Sequence, residues 1–150
     1  RWYLVRNAVL ILCRAGVAKD VLSELEGLTR HEHPAVRREA LRGLVPVEGV
    51  DAMSHLRRMV KDPDDTVCRV ALNLLGGLDT PIAFNTLVNL VRTGQDASLR
   101  LQALDELAGH RTPKVAETLA EMASIRSRPR LPRALRHHAR ALSRRAGAER

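Results

Sequence analysis

Five short segments of this chain echo one another at a period close to 32 residues, and that period constrains the fold more than any other feature. LVRNAVLIL begins at Leu4, VRREALRGL at Val36, VCRVALNLL at Val67 and LRLQALDEL at Leu99. Each opens on an apolar residue, places Ala four positions on with an aliphatic residue beside it, and closes on Leu eight positions from the start. The alanines, Ala8, Ala40, Ala71 and Ala103, are 32, 31 and 32 residues apart, and a degenerate fifth copy runs from Leu135 to Ala139 after a further 36. Offsets of four, five and eight lie on one face of a helix with 3.6 residues per turn. Each segment is therefore predicted as an amphipathic helix, and the small Ala lets neighbouring axes approach closely.

A second helix is predicted between each pair of these, over residues 17–30, 51–61, 81–92 and 113–124. Their apolar faces read Val21/Leu25/Leu28, Met53/Leu56/Val60, Phe84/Leu87/Val91 and Val115/Leu119/Met122. The punctuation keeps the same period. Thr80-Pro81 and Thr112-Pro113, 32 apart, read as an N-cap followed by Pro at the first helical position. Asp64 and Asp96, also 32 apart, stand in the N-cap place before their first helices, and His33-Pro34 does the same before the second copy. Gly16, Gly49 and Gly94 mark helix ends or turns.

One such hairpin buries too few apolar side chains to offset the entropy of ordering its own backbone. Neighbours must supply the rest, so tandem hairpins stack. The expected fold class is all-α: an α-solenoid, or superhelix, of about four and a half stacked hairpins. Four repeats are expected over residues 1–33, 34–64, 65–96 and 97–124, followed over 125–150 by a linker and an arginine-rich capping helix from about residue 133 to 146.

Composition supports this reading. One Trp, one Tyr and one Phe in 150 residues argue against a sheet protein. No apolar run approaches the ~20 residues that span a bilayer. The chain opens directly as Arg1-Trp2-Tyr3, with no initiator Met and no leader pattern, which reads as a fragment of a longer protein. Trp2, Tyr3, Leu4, Val9 and Leu12 would then meet upstream repeats or another domain. Cys13 and Cys68, far apart within predicted helices, read as reduced, buried thiols of a cytoplasmic protein. Arg outnumbers Lys by 22 to 3, a bias that suggests a GC-rich bacterial genome.

Val36-Arg37-Arg38-Glu39-Ala40-Leu41-Arg42-Gly43-Leu44 resembles the first helix of a HEAT repeat, and Asp62-Pro63-Asp64-Asp65-Thr66-Val67 resembles the acidic loop that precedes it. The short period is similar to that of the HEAT subclass named after bilin-lyase subunits. Tetratricopeptide and ankyrin arrays have comparable periods, but their Trp/Gly/Tyr and Thr-Pro-Leu-His signatures are absent. The resemblance implies a curved solenoid surface that holds a protein partner, lined on its inner side by the second helices. Aligning those helices gives a polar column Glu26, Arg58, Asn89, Glu121, a second column Ser54, Asn85, Glu117, and a third Lys61, Arg92, Ser124. These residues are the candidate partner-binding set.

No chemistry stands out beside that surface. Phosphate loops, zinc-protease His pairs and strand-elbow serines are absent from the sequence, and no cofactor or metal is expected. One HEAT enzyme, an iron hydroxylase, places His-Glu pairs on its first helices; the matching positions here are Arg6-Asn7, Arg38-Glu39, Arg69-Val70 and Leu101-Gln102. His31-Glu32-His33 reads as loop and cap. A bilin-lyase-like enzyme and a HEAT-like DNA glycosylase remain remote alternatives, and the expectation is a non-catalytic scaffold.

The charge is unevenly placed. Residues 1–125 hold 16 Lys/Arg against 16 Asp/Glu, so the whole excess of +8 falls in the last 25 residues, which carry nine Arg and Glu149. Arg128, Arg130, Arg133, Arg136, Arg140, Arg144 and Arg145 are the candidates for an anionic partner, whether nucleic acid, acidic protein or lipid. The last helix carries a narrow apolar stripe of Ala134, Leu135, Ala139, Leu142 and Ala146. Its polar remainder is what a terminal cap requires.

Overall fold

Four helix starts in this chain are set by short-range chemistry. The first amides of a helix lack an intrahelical acceptor, and a side-chain oxygen or imidazole nitrogen just before the helix supplies one. His33 Nδ1 accepts from Ala35 N at 3.2 Å. Asp64 Oδ1 accepts from Thr66 N at 2.9 Å, Asp96 Oδ1 from Leu99 N at 2.7 Å and Thr80 Oγ1 from Ala83 N at 3.2 Å. In the computed structural model, which describes residues 1–16, 18–124 and 131–148, the helices are α1 (Trp2–Arg14), α2 (Leu22–Leu28), α3 (Pro34–Glu48), α4 (Met53–Met59), α5 (Asp65–Gly77), α6 (Pro81–Thr93), α7 (Ala97–Ala108), α8 (Val115–Ala123) and α9 (Arg133–Ala148). None of the described residues is in a strand. The fold is all-α, as the period predicts.

Three of the second helices are shorter than their sequence pattern. α2 and α4 are entered through 3-10 turns, Ala18–Val21 and Gly49–Ala52, which take up the first residues of the predicted spans. Gly49 has φ +58° and Gly16 φ +77°, backbone conformations that cost a Cβ-bearing residue energy. At α8 the predicted Thr112 cap is not made. Pro113 and Lys114 form a turn, the helix starts at Val115 without a side-chain cap, and Thr112 Oγ1 lies 3.4 Å from His110 Nδ1.

The chain divides into two compact units, Arg1–Leu74 and Leu75–Arg150. In the first, α1 and α2 both pack on α3. Val9, Ala18, Leu25 and Leu44 form a core cluster, with Cys13, Val21, Leu22, Leu28 and Val47 packed around it. Val9 is thus core and not part of an uncovered face, whereas Trp2, Tyr3 and Leu4 are exposed. Ala8 is exposed although Ala40 in the same register of α3 is fully buried. Trp2 lies flat on the His33 ring, centroids 3.7 Å apart. Cys13 is half-buried and Cys68 buried, both as free thiols.

In the second unit α6 packs on α7, and α9 packs on α8 and α7. Phe84, Leu87 and Val91 of α6, Leu104 and Leu107 of α7, and Val115, Leu119 and Met122 of α8 are buried, which is the predicted stripe pattern. α9 docks through Leu135 and Ala139, joined by Leu131 just before the helix, while Ala134 on the expected stripe is exposed. No described helix is long and apolar enough to cross a membrane.

Candidate functional site

The second helices bury one face and leave polar residues on the other. In the first unit Glu26, Ser54, Arg58 and Lys61 are exposed. Arg58 is nonetheless anchored: Nη2 donates to Thr29 Oγ1 at 2.7 Å and Nη1 to the Thr29 carbonyl at 3.3 Å, so its cation sits at the C-terminal end of α2. A positive charge there is favoured by the helix dipole. Thr29 is itself fully buried and donates its hydroxyl to Glu26 O at 2.6 Å. His55 Nδ1 lies 3.4 Å from the same hydroxyl, and burial together with the Arg58 cation holds this imidazole below the ordinary histidine range, against an opposing pull from Glu26.

Glu48, at the end of α3, adjoins this group. Burial and the neighbouring Glu26 carboxylate, with a lesser push from Asp51, raise its carboxyl above the usual range. Its Oε2 is buried without a hydrogen-bond partner. Sequence reasoning missed Thr29, Glu48 and His55, because each is an unremarkable polar residue until α2, α3 and α4 bring them together.

In the second unit Asn85 and Asn89 of α6 and Glu117 and Glu121 of α8 are exposed. Arg92 of α6 reaches Glu121 of α8 in an ion pair of 2.8 Å. Two residues taken from different predicted columns therefore meet across adjacent second helices. This face can hydrogen-bond and pair charges with a partner. Burial pushes both thiols above their ordinary range, with Glu39 adding to the effect at Cys13 and Asp62 at Cys68. Cys68 Sγ donates to Asp62 O at 3.1 Å.

The described residues contain no group of three or more His, Cys, Asp or Glu side chains placed to hold a metal ion. In the His31-Glu32-His33 string both Nδ1 atoms accept backbone amides, His31 from His33 N at 3.0 Å and His33 from Ala35 N at 3.2 Å.

Among the tail candidates, Arg133, Arg140, Arg144 and Arg145 are exposed on α9 and Arg136 is half-buried. Arg128 and Arg130 lie outside the described residues. Arg140 Nη2 reaches the Ala123 carbonyl at 3.5 Å, at the C-terminal end of α8. His138 Nε2 meets Asp105 Oδ1 of α7 at 2.6 Å and ties α9 to the hairpin beneath it.

Compared with known proteins, the chain matches a family model described as HEAT repeats over residues 1–76. No curated protein matches it. With that match over half of the chain, on helices that pack and cap as the repeat pattern requires, this chain belongs to the HEAT-repeat family.

Proposed function

We propose that the chain is a non-catalytic protein-interaction scaffold of the bacterial cytoplasm, built of four repeats over residues 1–33, 34–64, 65–96 and 97–124 and closed by the helix within residues 125–150. The observation that carries this reading is the exposed polar face of the second helices. Asn85, Asn89, Glu117 and Glu121 stand on it in the second unit, with Arg92 bound to Glu121, and Glu26, Ser54, Arg58 and Lys61 stand on it in the first. HEAT repeats generally serve to hold protein partners, and buried cores beneath polar faces suit that use.

A photo-reactive residue at Asn89 or Glu117 tests the reading, with Ser98 on the first helix α7 as the control position. The scaffold should crosslink to one protein from the first two positions and not from the third. Binding of that protein should then weaken at least tenfold in an N85R/N89R variant whose thermal unfolding is unchanged. Equal crosslinking from Ser98, or unaltered affinity of the double variant, would remove the second-helix face from the proposal.

A further inference from the structure

The arginines of α9 are ordered, and their order has a use that capping does not require. Arg133, Arg136, Arg140 and Arg144 are spaced by three, four and four residues, which is one face of a helix. The docked residues Leu135 and Ala139 are centred about 125° around the helix from the row at ~100° per residue. Docking α9 against α8 leaves Arg133, Arg140 and Arg144 exposed and Arg136 half-buried, with Arg140 and Arg144 at the edge that meets α8. From Arg133 to Arg144 the row extends about 16.5 Å at ~1.5 Å per residue. The described part of α9 contains no Asp or Glu to neutralise it. The carboxylate of Glu121 on α8 is already matched by Arg92.

Beside this row is a groove of about 260 Å³ between the two helices, lined by Ala120, Ala123 and Ser124 on one side and Arg140, Ser143 and Arg144 on the other. Small residues on α8 keep it open, and two guanidinium-bearing side chains with two hydroxyl-bearing ones line it. Arg140 is steered toward it by the Ala123 carbonyl.

We propose that the arginine row of α9 and the α8–α9 groove together form a docking site for the phosphate backbone of duplex nucleic acid. A strand presents one phosphate per ~3.4 Å of duplex axis, so the row covers about five. Guanidinium groups suit phosphate because they donate in a fixed fork. Neither α8 nor α9 carries Phe, Tyr or Trp, so there is no platform for stacking unpaired bases and the site favours a duplex over a single strand. The same lack of aromatic residues, and of an exposed leucine face on α9, disfavours insertion into a lipid surface. Contact with the backbone alone makes the binding independent of sequence.

The test is fluorescence anisotropy of a labelled DNA duplex against the intact chain, across a salt series. With the four arginines neutralising about four phosphates, log affinity falls with log salt at a slope near −3.6, or about 150-fold between about 50 and 200 mM. The R140S/R144S variant should flatten the slope by about 1.8, leaving a fall of about 12-fold. Both positions are exposed, so the variant should keep the helical circular dichroism of the intact chain, which is checked first. A K19S/R57S variant removes the same charge from exposed positions of the first unit and should leave the slope unchanged. The proposal is overturned by absence of duplex binding at low salt, or by equal flattening in the two variants. It is also overturned by binding to phosphatidylserine vesicles without binding to the duplex.

Discussion

Arg37 and Asp62, 25 residues apart, form a two-pronged ion pair inside the first unit: Arg37 Nε donates to Asp62 Oδ2 at 2.8 Å and Nη2 to Oδ1 at 2.6 Å. The side chains are only 11% and 6% exposed. Arg37 Nη1 also donates to the His31 and Glu32 carbonyls, both at 2.8 Å, so one guanidinium closes the loop before its own helix and holds the loop that precedes α5. Removing it takes the charged partner from a buried carboxylate, leaving it the Asp64 amide at 3.0 Å, and a donor from two carbonyls. Arg37→Ala should destabilise the chain by about 3–5 kcal/mol in urea unfolding. Arg37→Lys, which keeps the charge without the planar fork, should fall between the two.

Gly43 of α3 faces Cys13 of α1 across the helix contact. A Cβ at position 43 would collide with Cys13 Sγ and come within 3.3 Å of Leu25 Cδ1. Gly43→Ala should therefore destabilise by about 1–3 kcal/mol through overpacking. Cys13→Ala in the same chain should return part of that loss, and a double-mutant cycle in urea measures the coupling. Additive effects would mean that the two residues do not press on one another.

Asp64 caps α5 by accepting from the amides of Thr66 and Val67, and from the Thr66 hydroxyl. The Thr66 hydroxyl bond, the largest effect, holds its carboxyl below the ordinary range; burial opposes it, and the two amides and nearby Arg38 add to the lowering. A lowered native pKa means that the unfolded chain binds the proton first. The stabilisation is therefore complete above the usual aspartate value near 3.9 and is lost as pH falls below it. Asp64→Ala should cost about 1 kcal/mol at pH 7. Asp64→Asn, which still caps, should cost little at pH 7 and should not show the acid-dependent loss.

Glu48 has the opposite sign. Its carboxyl is raised by burial and by Glu26, so the native chain holds the proton more tightly than the unfolded one. Stability then falls as pH rises from the usual glutamate value near 4.3 through the higher native one. Glu48→Gln should raise the urea midpoint at pH 7 and flatten this part of the pH profile. A lower midpoint would show that the ionised carboxylate has a favourable partner.

The sequence by itself determined the helical repeat, its period, the apolar stripes and most caps, because these depend on residues within about four positions of each other. Leu56, Leu87 and Leu119 are buried where the spacing puts them, and Asp64, Thr80 and Asp96 cap where the punctuation stands. Thr112 failed as a cap because Pro113 and Lys114 turn before the helix begins, which the local pattern does not register. Tertiary structure decided the rest. It chose Asp62 for Arg37 among many carboxylates, pressed Gly43 on Cys13, gathered Thr29, Glu48, His55 and Arg58, and joined Arg92 to Glu121. It also buried Leu131 and left Ala134 and Ala8 in water. Those outcomes depend on which helix faces lie side by side, and a spacing rule records the face of a helix without recording what that face meets.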